Sequence, residues 1–258
     1  MSRLMQRSPS AALGGALLSL FLMSSPEGAH AQGVGAVVPL PADMRANAEK
    51  YLPGVVGEPV PAFTIDPSLA RLSAGTRTYA VVGGNTDNQT EQHQITAGDK
   101  PGQWRYTVGD RTVFLHETKG ESLSIVAEQD NDKGVLTRYS PAQPLLIAGM
   151  NAGDEKTMTL KVSVYDLDDP TDLEHSGTLN LTLTYVGAYK VTVPAGTFDA
   201  AALRWRYNGK VGPASVDDVQ VRLVAKDVGM AAAAEKLDVA AFLIYNDNTK
   251  VGKVLQQK

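Results

Sequence analysis

The sequence predicts an all-β protein, an antiparallel open barrel or sandwich behind a short helical or irregular leader. Three observations carry that prediction. Beyond Thr76, apolar and polar side chains alternate with a period of two. Met158, Leu160, Val162 and Val164, set between Thr157, Thr159, Lys161, Ser163 and Tyr165, are the clearest run. Such a rhythm gives each strand one apolar face. Turn-forming residues recur at short intervals, at Gly109-Asp110, at Asp130-Asn131-Asp132-Lys133-Gly134 and at Asn208-Gly209, the spacing of sandwiches and barrels. The 258 residues include no cysteine. Packing alone must therefore hold the fold, and a chain of this size buries enough surface to do so.

The first element is a targeting signal. Arg3 and Arg7 make a basic start, Ala11 to Met23 is an apolar run, and Ala29-His30-Ala31 places small residues where a signal peptidase reads. The apolar run is too short to anchor in a bilayer. Residues 1–31 thus read as a cleavable signal peptide, and the mature chain as a periplasmic or secreted protein. Residues 32–75 form the leader. Asp43 to Leu52 reads as a helix, with Asp43 as N-cap, Pro53 as stop, and Met44, Ala48, Tyr51 and Leu52 on one face. Pro59 and Pro61 disfavour regular structure nearby, and Pro67 to Leu72 has room for one more helical turn.

Residues 76–258 form the β domain. Expected strands run over 77–82, closed by Gly83-Gly84-Asn85, and over 89–95. A hairpin joins 104–108 to 112–117, and strands 123–128 and 135–139 flank the Asp130–Gly134 turn. After 157–165 and 179–184, a turn near Gly187 leads into 190–193, and Pro194-Ala195-Gly196-Thr197 breaks the ladder. Residues 201–207 resume it up to the Asn208-Gly209 turn. Val219, Val221 and Leu223 alternate next, and a last hairpin joins Phe242–Tyr245 to Val251–Leu255 across Asn246-Asp247-Asn248. Ala231 to Ala241 is ambiguous: four alanines favour helix, while the short strands on either side favour a meander, and we read it as strand. One domain is the economical organisation; a split between Pro141 and Gly153 is the alternative.

Val191-Thr-Val-Pro-Ala-Gly-Thr-Phe-Asp-Ala200, followed by a strand and by Lys226-Asp227-Val228-Gly229-Met230, resembles the C-terminal signature of the exported bacterial β-protein family called domain of unknown function 3108. Asp227 stands where that pattern has a glycine. The resemblance covers residues 155–255. It implies a β fold and an exported location, and no activity. Read physically, Pro194 ends a ladder, Gly196 lets the chain turn, and Phe198 anchors a corner.

Composition excludes several functions. The formal charge is −4, and loss of Arg3, Arg7 and Glu27 with the signal makes it more negative by one, which argues against nucleic-acid binding. No later run is long and apolar enough for a transmembrane helix. No Gly-x-Ser-x-Gly elbow, zinc-protease motif or phosphate loop occurs, and no cofactor is predicted. Two candidate sites remain. Trp104 with Tyr106, and Trp205 with Tyr207, each share a strand face and could stack on a ligand, with core packing as the alternative. Asp166, Asp168 and Asp172, in a run that continues through Asp169 and Glu174, could hold Ca²⁺, with a solvated loop as the alternative. The reading that follows is a non-catalytic envelope protein binding an amphiphile, a glycan or a protein partner. A cell-envelope polysaccharide hydrolase using the acids of 166–174, and a structural interaction module, stand behind it.

Overall fold

In the computed structural model, residues 33–82, 89–226, 228–241 and 245–257 are described; the expected signal peptide (1–31), the expected turn at Gly83-Gly84-Asn85, Asp227 and Phe242 lie outside them. Thirteen strands form one antiparallel sheet. They are β1 (Val56–Val60), β2 (Gly75–Val82), β3 (Thr90–Ala97), β4 (Gln103–Val108), β5 (Arg111–Thr118), β6 (Ser122–Asp130), β7 (Val135–Ile147), β8 (Glu155–Asp166), β9 (Leu173–Val193), β10 (Gly196–Val211), β11 (Ala214–Ala225), β12 (Gly229–Ala241) and β13 (Tyr245–Gln257). One helix, α1 (Ala42–Tyr51), and a 3₁₀ turn (Pro67–Ala70) precede β2.

The sheet closes, so the expected open barrel or sandwich is corrected to a closed twelve-stranded barrel with β1 added outside the ring. β2 to β13 run up and down, each paired with its sequence neighbour, and β13 returns to β2 with Leu255 opposite Tyr79. Alternation tells which way a side chain points but not which strand lies beside it, so closure leaves no local signature. β9 is long because it serves three partners. Its first part lies between β8 and β10, and its last part between β10 and β1.

Several boundaries differ from expectation. β1 falls inside the leader despite Pro59, because it pairs only with β9, and an edge strand tolerates a missing N–H. Asn208-Gly209 is not a turn. β10 continues to Val211 and reverses at Gly212-Pro213. Gly209 instead permits a close backbone approach, since a Cβ there would lie 2.1 Å from the Thr178 carbonyl oxygen. Asn246 to Asn248 lie within β13, opposite Ala240 to Asp238 of β12. β9 runs through Gly187 with a bulge, where Tyr185 and Gly187 face consecutive residues of β10. Ala231 to Ala241 is strand, as read from its neighbours. In α1, Pro41 and not Asp43 occupies the N-cap, and Asp43 instead lies 3.5 Å from Arg206 and 3.7 Å from Arg204 on β10.

Two apolar cores result. Inside the ring pack Leu160, Leu181, Leu183, Tyr185, Leu203 and Trp205. Outside it, Met44 and Leu52 of the α1 segment and Val55 pack with Ala200, Ala202 and Leu223. Hairpins β4–β5, β6–β7, β8–β9 and β10–β11 turn at one rim. Across the other runs the segment after β1: the Ile65 N–H donates to the Met150 carbonyl, Gly149 donates back to Ile65, and the 3₁₀ turn touches β7 on one side and β11 and β12 on the other.

Candidate functional site: the barrel interior

Eight strands enclose a space that side chains just fill; twelve leave room. Inside this ring is a cavity of about 500 Å³. Ala70 and Leu72, from the segment across the rim, form its floor. Its two walls differ. Val113 and Leu115 of β5, Leu123 and Ile125 of β6 and Leu145 and Leu146 of β7 make one wall largely apolar, with Arg111 and Glu128 towards the hairpin rim. The opposite wall, five consecutive strands from β11 through β13 and β2 to β3, carries the cavity's remaining charged and polar groups, Gln220, Arg222, Glu235, Lys253, Arg77, Glu91 and His93, set among small and mid-sized apolar side chains such as Val224, Ala233 and Val251.

The polar wall is built from interlocking pairs. His93 is 2% exposed; its Nδ1 lies 2.5 Å from the Tyr106 hydroxyl and its Nε2 3.0 Å from Glu91 Oε2. Burial holds the imidazole below its ordinary range, against the pull of Glu91. The neutral ring therefore donates from Nε2 to Glu91 and accepts the Tyr106 proton at Nδ1, a tautomer assigned from these partners. The bond from His93, with Lys253 Nζ 2.7 Å away, brings the Glu91 carboxyl down to about 2. The Tyr79 ring packs against His93 at 4.3 Å, tilted by 35°, and its hydroxyl donates to the Met230 carbonyl. On β11 the Arg222 guanidinium lies 5.1 Å from the Trp205 ring centre and donates to Gln220, which donates to Asp218. Burial, with Glu235 nearby, pushes the Asp218 carboxyl up to about 7. Glu128, bonded to Tyr139, is raised by burial, and Arg111 and Arg222 oppose that rise.

Of the four aromatic candidates, Tyr106 and Trp205 line the cavity. Trp104 packs against the interior core, and Tyr207 accepts a hydrogen bond from Gln143 at 2.8 Å. Trp205 is 1% exposed, its Nε1 donating to the Pro144 carbonyl. Asp166, Asp168 and Asp172 lie in the connection between β8 and β9. There Asp166 Oδ1 accepts the backbone N–H groups of Asp168 and Asp169, and the Asp172 carbonyl accepts from Asp166. Among the described residues no three His, Asp or Glu side chains converge on a common point suited to a metal ion.

Sequence reasoning missed Arg77, Glu91, His93, Arg222 and Lys253. The available signal was parity. On β11 the apolar set Val219, Val221 and Leu223 reads as the inward face, yet Gln220 and Arg222 line the cavity, while Val219 and Leu223 face α1 and Val221 borders both spaces. With apolar cover on the outside, the polar alternates of this strand point in.

No protein-family model matches this chain. No curated protein matches it either. Solved structures that resemble it include the following three. The hypothetical lipoprotein YmcC from Escherichia coli has a TM-score of 0.40 and 9% identity, over 74% of this chain and 87% of that one. A protein of Parabacteroides distasonis described as a lipoprotein gives 0.36 and 13%, over 72% and 95%. A Bacteroides fragilis protein described as exported, with a YmcC-like fold, gives 0.39 and 12%, over 70% and 93%.

Proposed function

We propose that the protein is an exported, non-catalytic binding protein of the cell envelope that holds an amphiphilic small molecule inside its barrel. The observation that carries this reading is the cavity of about 500 Å³ with one largely apolar wall and one mixed wall that holds most of its charged and polar groups. Its volume lies within the roughly 300–1,000 Å³ of small-molecule sites, and its lining combines apolar surface with a few placed polar groups. The basic start, apolar run and Ala29-His30-Ala31 support export. The acids of 166–174 lie apart from the cavity lining, so no observation favours the hydrolase.

Native mass spectrometry of the protein isolated from an exporting bacterial host, titrated with long-chain amphiphiles, tests the reading. One molecule bound per chain is expected. Ala233→Phe, which puts a ring into the cavity between Arg222 and Lys253, should abolish binding without unfolding the barrel. Retained binding in that variant, or none in either protein, overturns the proposal.

A further inference from the structure

The charged group such an amphiphile carries can be read from the polar wall, and this step rests on the reading above. A cation withdrawn from water is ordinarily paired with a carboxylate. Two of the four cations at the cavity are so paired. Lys253 lies 2.7 Å from Glu91, and Arg111, at the exposed rim, lies 3.2 Å from Asp130. Arg77 and Arg222 are not: among the described residues, neither comes within ion-pair distance of a carboxylate. Arg77 gives its guanidinium to the neutral carbonyls of Ala70 and Arg71. Arg222 spends one of its five N–H donors on Gln220 and lies over the Trp205 ring, which leaves its other donors for a further acceptor.

The remaining acids do not cancel this excess. Glu128 lies on the largely apolar wall towards the hairpin rim, bonded to Tyr139 and in the field of Arg111. Glu235 lies level with Gln220, towards the rim, where it acts on Arg111 and Asp218. His93 is kept neutral. Asp218 is tied to the Gln220 amide and is not part of the cavity lining. The inner lining of the polar wall thus holds Arg77, Arg222 and Lys253 against Glu91.

We infer that the barrel takes an anionic amphiphile, its carboxylate or phosphate docked on the free edge of Arg222 in the field of Arg77, and its hydrocarbon laid on Leu115, Leu123, Ile125 and Leu146. Arg222 is held in place before the ligand arrives by Trp205 and Gln220, so little side-chain freedom is lost on binding. Both anion types fit a guanidinium edge with paired donors, and the comparison of headgroups separates them.

The test is isothermal titration calorimetry of the full chain with laurate, dodecyl phosphate, dodecanol and dodecylamine at pH 8. At least one anion should bind about tenfold or more tighter than dodecanol, with dodecylamine weakest. Arg222→Gln should bring the anion down to the dodecanol level and leave dodecanol unchanged, while Arg222→Lys keeps part of the preference; circular dichroism checks that both variants fold. Equal binding of laurate, dodecyl phosphate and dodecanol to the wild type would overturn the inference and leave the amphiphile reading standing. An anion preference that survives Arg222→Gln would overturn it too. No binding of any of the four would remove both.

Discussion

Replacing Asp218 by Asn should stabilise the protein at alkaline pH and change little in acid. Asp218 is 6% exposed. Its Oδ2 accepts from Gln220 at 2.8 Å, while its Oδ1 is buried without a hydrogen-bond partner among the described residues. Burial and the neighbouring Glu235 lift its carboxyl to about 7, from an ordinary 3.8. A carboxyl raised by folding stabilises the native state fully below its unfolded value, and that contribution fades as pH climbs through the folded value. The gap between 3.8 and about 7 corresponds to a cost of roughly 4 kcal/mol once the group is ionised. Asn keeps the acceptor for Gln220 and never ionises, so it avoids that cost. Urea unfolding of wild type and Asp218→Asn at pH 4, 6 and 8 measures the difference. The two should nearly coincide at pH 4, with the variant ahead by several kcal/mol at pH 8. A difference of the same size at pH 4 and pH 8 would show that ionisation of Asp218 plays no part, and the argument from burial would fail.

Two further substitutions probe the walls. Gly252→Ala puts a Cβ 2.0 Å from the Tyr51 carbonyl oxygen, so the end of α1 must lift from the barrel. A loss of about 1–3 kcal/mol, with faster hydrogen exchange over residues 42–51 than elsewhere, is expected, and uniform exchange would count against that seating. Tyr207→Phe removes the acceptor of the Gln143 amide, which is 5% exposed. Leaving that donor buried and unpaired should cost about 1–3 kcal/mol in chemical denaturation, and an unchanged midpoint would mean that Gln143 finds another partner.

Most strands were legible because local alternation encodes them. Met158 to Val164 falls inside β8, and even the alanine run of β12 followed its neighbours. What was not legible depends on partners distant in sequence. Asn208-Gly209 has the composition of a hairpin turn, and only the approach of Thr178 explains the glycine in mid-strand. Both aromatic pairs meet the interior core: parity brings Tyr106 and Trp205 to the cavity, Trp104 packs against that core, and Tyr207 within it accepts from Gln143. Arg222 and His93 escaped notice because a charged or polar residue on an alternating strand is read as solvent-facing. That reading fails where a helix covers the outer face and a wide ring encloses room for polar groups.

The seam between β2 and β13 sets the order in which the barrel can be completed. All other ring neighbours follow one another along the chain, so a partly synthesised polypeptide can build most of the meander as it emerges. Tyr79 must nevertheless wait for Leu255 on the last strand of the ring. Until then the future interior is a curled sheet with its inner surface open to solvent, and the cavity exists only once β13 has reached β2.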